Sequence, residues 1–324
     1  MRAPAFWRHD GVLPALLSPV AALWAIGAAR RAARPGWRAP VPVICCGNAT
    51  VGGAGKTTLA LDLGARLQRR GVAVGFLSRG YGGRVRGVLR VDPARHAAAL
   101  VGDEPLLLAA CAPTYVAADR AVGARAAIAE GARALVMDDG LQNPTLQKDL
   151  SLLVIDGAAG FGNGRVLPAG PLREPLAAAA ARCRAAVLIG DDRRGALARL
   201  PPGLPVLRAD LAPDGPMLAG RRVVAFAGIG RPEKFFAMLA AHGADLAARL
   251  PFPDHHPFTA SELRAVFETA ARLGATPITT PKDAARLPPE QRARVAVCGV
   301  RLVWQDAAAL EHLLDAALTE TTPP

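Results

Sequence analysis

Val43-Ile-Cys-Cys-Gly-Asn-Ala-Thr-Val-Gly-Gly-Ala-Gly-Lys-Thr-Thr58 reads as a buried strand, a glycine-rich turn, and a helix that opens on Lys-Thr-Thr. Gly52, Gly53 and Gly55 let the backbone turn its N–H groups inward, and the helix start adds partial positive charge. Lys56 can then reach the β- and γ-phosphates of a nucleotide, and the Thr57 hydroxyl suits Mg²⁺. Thr50 stands where the usual eight-residue pattern has its first glycine, but the strand before and the helix after are both present. The segment Thr50, Val51, Gly52, Gly53, Ala54, Gly55, Lys56, Thr57 and Thr58 is therefore expected to cradle a nucleoside triphosphate.

Outward from this turn, apolar strands near 72–77, 114–117, 134–137, 152–155 and 187–189 alternate with helical stretches. That order implies an α/β fold, a P-loop NTPase-type parallel sheet covered by helices on both faces. Ligands of such sheets gather at the carboxyl ends of the strands. The glycine- and proline-rich crossing at 157–175 is long enough to be a functional loop or a lid. Proline punctuation over 200–216 marks the expected domain boundary. Strand and helix patterns beyond it suggest a second, smaller α/β domain. The expected division is an N-terminal segment 1–38, a core 39–216 and a smaller domain 217–324.

The net charge of +12 comes from 35 Arg and only four Lys. No basic cluster interleaved with aromatics accompanies it, so no nucleic-acid partner is indicated, and no obligate protein partner is evident. The charge suits an anionic membrane or a phosphorylated substrate. Five cysteines without metal-type spacing fit a reducing cytoplasm, with Cys45 and Cys46 as small core residues. Between Asp10 and Arg30 lie 19 uncharged residues. Leu13, Leu16, Leu17, Val20, Leu23 and Trp24 fall on one helical stripe, with Ala15, Ser18, Ala21, Ala22 and Ala25 on the other. Arg30, Arg31, Arg34 and Arg38 follow. A helix lying in a membrane interface fits this pattern best, ahead of a helix packed on its own domain and of a true span.

Several polar groups fall where the sheet would open. Asp138 and Asp139 end an apolar strand, the usual partner of a phosphate loop in holding Mg²⁺, and either could be the ligand. Asp103 and Glu104 precede a helix, where two acids suit a base plus a metal ligand, or an N-cap. The loop 252–258 carries His255 and His256, which point different ways, so at most one serves a given site. Arg79, Tyr81, Arg84 and Arg173 come from loops at the same edge, and arginine forks clamp phosphate or carboxylate.

These segments, in this order, resemble the tetraacyldisaccharide 4'-kinase family, the lipid A 4'-kinases of Gram-negative bacteria. The resemblance rests on Gly47-Asn48 with Thr50–Thr57, Ser78-Arg-Gly-Tyr-Gly82, Gly102-Asp-Glu-Pro105, Asp138-Asp-Gly-Leu-Gln-Asn143 and Gly162-Asn-Gly164. It continues in Leu167-Pro-Ala-Gly-Pro-Leu-Arg-Glu174, Asp254-His-His256 and Thr279-Thr-Pro-Lys-Asp283. Thr58 stands where proline is frequent in the family, and Leu141 where phenylalanine is common. Neither change removes a functional group.

The resemblance implies ATP-dependent phosphorylation of the 4'-hydroxyl of a tetraacylated glucosamine disaccharide 1-phosphate. By the same carry-over, Lys56 grips ATP, Asp103 is the base paired with His255, and Thr57, Glu104, Asp138 and Asp139 form the Mg²⁺ shell. Arg79, Tyr81, Gln142 and Arg173 are the substrate-binding candidates. Because Asp103 and His255 belong to different domains, domain closure is expected to assemble them. A substrate with four acyl chains does not leave a bilayer, so the expected location is the cytoplasmic face of the inner membrane, peripheral or monotopic. The alternative is a soluble P-loop kinase acting on a small metabolite.

Overall fold

The apolar run before the phosphate turn lies at the centre of a sheet buried on both faces, which is why it lacks the alternation of a half-exposed strand. A computed structural model describes residues 4–319. The strands are β1 (Val43–Gly47), β2 (Val74–Ser78), β3 (Val88–Arg90), β4 (Thr114–Ala117), β5 (Ala134–Asp138), β6 (Leu150–Asp156) and β7 (Ala185–Ile189). They continue as β8 (Val206–Asp214), β9 (Arg222–Ala227), β10 (Asp245–Pro251), β11 (Thr276–Thr279), β12 (Ala296–Val297) and β13 (Gly299–Trp304).

The larger sheet has the order β13-β8-β7-β6-β1-β5-β2-β4-β3. All its pairs are parallel except those at its two ends, β3 with β4 and β13 with β8. Successive residues of β1 serve opposite faces. Ile44 and Cys46 pack with Leu59, Leu63 and Leu67 of the helix Lys56–Arg69. Val43 and Cys45 join Leu135, Met137, Ala124 and Ala127 on the other side. Each fully buried leucine contributes about 1.5–3 kcal/mol. The register Cys46↔Asp138 sets the end of β5 beside the exit of β1, so the acidic turn and the phosphate loop leave the sheet together.

The smaller sheet, β10-β9-β11-β12, is parallel throughout. The helix Pro232–Ala241 covers one face through Phe235, Phe236 and Leu239. The helix Ala260–Arg272 covers the other through Leu263 and Val266, and a Thr259–Glu262 capping box starts it.

Two sequence expectations need correction. The stretch 200–216 is not merely a linker, because it contains β8, whose Leu207 and Ala209 alternate into the core. Pro213 falls past the part of β8 paired with β7, where only β13 remains as a neighbour. Nor does 217–324 form one unit. Residues 222–297 build the smaller sheet, after which β13 returns antiparallel to β8 and the helix Ala307–Thr319 packs Leu310 and Leu314 into the larger core. Trp304 Nε1 donates to Asp62 Oδ2 at 3.0 Å, and Arg66 and Arg70 clamp Glu311, which ties the C-terminal helix to the phosphate-loop helix.

Leu314→Ala is expected to cost about 2–5 kcal/mol in denaturant unfolding. Hydrogen exchange should speed up in β6 and the helix Lys56–Arg69. A loss of protection confined to 222–297 would contradict this assignment of the C-terminal helix.

Candidate active site

The turn after β1 is shaped by two glycines with positive φ, Gly52 at +109° and Gly55 at +91°. A Cβ on Gly55 would be strained by that φ and would also meet Ile189 Cδ1 at 2.6 Å, so the Ile189 side chain would have to move. Lys56 begins the helix and folds back over the turn. Its Nζ donates to Asn48 Oδ1 at 3.1 Å and to Gly52 O at 3.3 Å, and lies 3.7 Å from Asp139 Oδ2. Burial lowers the Lys56 pKa, with Asp139 and Asp138 opposing the shift.

The crossing 157–175 is a buttress rather than a lid over this turn. Val51 N donates to Pro171 O and Arg173 N to Ala49 O, at 2.9 and 2.7 Å. Arg173 grips Asp139 with both terminal nitrogens at 2.8 and 3.0 Å and also donates to Gln142 Oε1. Gln142 Nε2 in turn donates to Asn48 O and Glu174 Oε1. Arg173 and Gln142, read from the sequence as substrate contacts, are thus engaged in holding the phosphate loop against the acidic turn.

Asp138 and Asp139 occupy different environments. Asp139 sits at φ +54°. Burial works upward on its carboxyl, but Lys56 and Arg173 outweigh it and keep the pKa below the ordinary value. Asp138 is pushed up to about 6, first by burial and then by Asp139. Its Oδ2 accepts from Thr57 Oγ1 at 2.9 Å, while its buried Oδ1 has no protein partner. A hydroxyl beside an unsatisfied carboxylate oxygen is the hard-oxygen donor set that Mg²⁺ takes. Glu104, the other acid expected in that shell, accepts instead from Lys282 Nζ at 2.5 Å.

Across the opening, the smaller lobe supplies the rest. His255 has φ +57°, and its Nδ1 lies 2.7 Å from Asp103 Oδ2. Arg286 donates to the same oxygen, to Asp283 Oδ1 and to Gly228 O. The pair expected to need domain closure is already joined in this arrangement of the lobes. Burial raises the Asp103 pKa, but His255 and Arg286 prevail and hold it at about 2. Asp103 correspondingly raises His255 above its ordinary 6.5. His256 points elsewhere: its ring stacks on Phe252 and its Nε2 lies 3.0 Å from Glu262. Tyr81 is exposed at the mouth, its ring centroid 6.3 Å from that of His255, and Arg79 is exposed on the same loop.

Sequence reasoning about side chains missed Arg286, Lys282, Asp283, Asn48 and Glu174. Lys282 and Asp283 lay within the quoted Thr279–Asp283 segment, and Asn48 and Glu174 within two others, but none had been given a role.

The family model described as Tetraacyldisaccharide-1-P 4'-kinase matches residues 13–319. The chain belongs to this family. A curated tetraacyldisaccharide 4'-kinase of Gluconacetobacter diazotrophicus is 64% identical over 97% of this chain and 98% of its own length. One from Rhodospirillum centenum is 59% identical over 97% and 96%. A crystal structure of "apo" form LpxK from Aquifex aeolicus in complex with ATP is 27% identical, with a TM-score of 0.76 over 95% of this chain and all of that one.

In this member of the tetraacyldisaccharide 4'-kinase family, the helix Val12–Ala32 is long and apolar enough to cross a membrane by length and composition. Most of its bulky residues face outward, the reverse of a soluble surface helix, although Ala15 and Ala22 are exposed as well. Pro14 and Ala21 are buried, whereas Leu16 and Leu23 are 71% and 70% exposed. Trp24 Nε1 donates to Arg173 O at 2.9 Å, and Arg165 donates to Ser18 Oγ and Asp10. The helix therefore rides on the crossing that braces the phosphate loop.

The titration signs define a pH window for the interlobe pair. Asp103, lowered to about 2, contributes stability that is full above its ordinary 3.8 and lost as pH falls through 2. His255, raised above 6.5, contributes stability that is full below 6.5 and lost as pH rises through its folded value. A reaction in which the Asp103–His255 pair accepts a proton would need His255 neutral, so its kcat/KM is expected to fall on acidification with a midpoint above 6.5. His255→Asn should abolish that limb, and its persistence in the variant would assign the titration to another group.

Proposed function

We propose that this protein transfers the γ-phosphoryl group of ATP to the 4'-hydroxyl of a tetraacylated glucosamine disaccharide 1-phosphate. The product is the 1,4'-bisphosphorylated lipid A precursor, lipid IVA. The observation that carries this reading is the Asp103–His255 contact, made between two lobes at the mouth of a phosphate loop. The names of the relatives at 64% and 59% identity support the acceptor.

Each group has a role in this reading. Gly52, Gly53 and Gly55 and the helix start hold the phosphates through backbone N–H groups, with Lys56 at the β- and γ-phosphates. Thr57 and Asp138 hold Mg²⁺, which supplies charge neutralisation on the phosphates when bound. Asp139, fixed by Arg173, keeps Lys56 charged and in place. His255 and Arg286 both bond Asp103 Oδ2, which turns Oδ1 toward the acceptor. The 4'-hydroxyl donates to Oδ1, and its proton leaves along the Asp103–His255 pair as the new O–P bond forms. Tyr81 and Arg79, exposed at the mouth, meet the sugar and the 1-phosphate.

The acceptor's four acyl chains stay in the cytoplasmic leaflet of the inner membrane, and the exposed leucine face of the helix Val12–Ala32 brings the enzyme there, peripherally or as a monotopic protein. A small soluble acceptor leaves that face without a purpose.

Incubation with labelled ATP, magnesium and the lipid disaccharide should place label in the lipid. Asp103→Ala is expected to lower kcat about 10²–10⁴-fold with little change in ATP affinity. Near-native turnover in that variant would remove Asp103 from the chemistry. Leu16→Ser with Leu23→Ser should release the enzyme from anionic vesicles and leave its melting temperature unchanged. Undiminished vesicle binding would separate this helix from the membrane.

A further inference from the structure

Besides Arg79 at the mouth, the proposed site contains four cations, and two of them, Arg173 and Arg286, are committed to structure. Arg173 holds Asp139 in two-point contact. Arg286, its side chain 6% exposed, is shared among Asp103, Asp283 and Gly228 O. Lys56 is tethered to Asn48 and Gly52 O at the turn it closes. The fourth is Lys282, in the first turn of the helix Pro281–Arg286 that follows β11 on the smaller lobe. An ammonium has three donors, and the protein engages Lys282 Nζ through Glu104 Oε1.

Through Glu104, Lys282 is held at the start of the helix Asp103–Ala109, beside the Asp103 that the reading above makes the base. It acts electrostatically on Lys56 from the opposite lobe, and Asp138, Asp103 and Glu104 all act on it. An ammonium on each lobe suits an anion bound between them. The phosphate loop supplies one wall of a polyphosphate site, and Lys282 stands on the other.

We infer that Lys282 is a catalytic residue, a cation delivered by the smaller lobe that binds the transferring phosphoryl group. This rests on the kinase reading above. Glu104 keeps Lys282 poised until nucleotide arrives, and the ammonium then donates to oxygens of the γ-phosphoryl group. Lys282 makes and breaks no covalent bond. The acceptor oxygen bonds to phosphorus, the bond from phosphorus to the bridging oxygen breaks with its electron pair passing to ADP, and the acceptor proton leaves toward Asp103. Charge spreading over the transferring group in that step is what a cation opposite Lys56 stabilises.

The test compares Lys282→Met, Lys282→Arg and wild type in two assays. In transfer to the lipid disaccharide, Lys282→Met is expected to lower kcat about a hundredfold or more, with the KM for ATP changed less than about threefold. Lys282→Arg, which keeps the charge, should recover at least a tenth of the wild-type rate. In the second assay, magnesium, ADP and aluminium fluoride mimic the transferring group. Lys282→Met should bind that mixture at least about tenfold more weakly than wild type while binding ATP normally. Equal loss of ATP and mimic binding, or a lowered melting temperature in both variants, would make Lys282 a structural tie to Glu104 and overturn the inference. So would undiminished kcat in Lys282→Met. The mimic assay needs no acceptor, so wild-type failure on the lipid disaccharide sinks the acceptor assignment alone, and failure of the Lys282 comparison sinks this inference alone.

Discussion

Asp103 is bonded on one oxygen by two groups from another lobe, and the candidate site depends on that contact. Without His255 and Arg286, a buried carboxylate at the start of a short helix would be driven toward its neutral form. With them it is held ionised at about 2, and its orientation is set by groups more than 150 residues away in the chain. The phosphate loop, in contrast, is built locally, from one strand, one turn and one helix. The site is therefore half local and half conditional on how the two lobes meet.

The electrostatics on the larger-lobe side divide two adjacent acids into separate tasks. Asp139 is clamped by Arg173 and offset by Lys56, so it acts as part of the scaffold. Asp138 is starved of partners on one oxygen and lifted to about 6, a state that a divalent ion would relieve. Sequence alone left these two open because neighbouring acids on a turn share a pattern and differ only in what faces them. Arg173 and Gln142 illustrate the same limit. Their loop was legible, but whether they point to substrate or to the scaffold was decided by Asp139, Asn48 and Glu174.

What was legible follows from the range of the interaction. The strand–turn–helix at 43–58 and the apolar strand ending in Asp138 are short-range features with steep stereochemical demands, and they stand where the reading put them. The His255–Asp103 pair came from resemblance, since nothing in the spacing joins residues 152 apart. Arg286 was invisible among 35 arginines because its partner is 183 residues away. β8 was hidden by prolines; β13 falls in a stretch that reads as strand-rich, but its return to the larger sheet rests on an edge pairing that no local pattern encodes. The outward face of the N-terminal helix was readable in part: Leu13, Leu16, Val20 and Leu23 of the bulky stripe are exposed, but so are Ala15 and Ala22 of the small one, and Leu17 is half-buried.

The antiparallel pairing of β8 with β13 carries a consequence for how the enzyme can move. Topologically these two strands are a hairpin, and the whole smaller lobe occupies the place of its loop. Both chain crossings run side by side at Gly215 and Cys298, where a Cβ on Gly215 would lie 2.9 Å from Val297 O. A body hung from two adjacent tethers can swing about the line joining them but resists twisting about its own axis. His255, Lys282 and Arg286 would then approach and leave the phosphate loop as one rigid set, along a single arc.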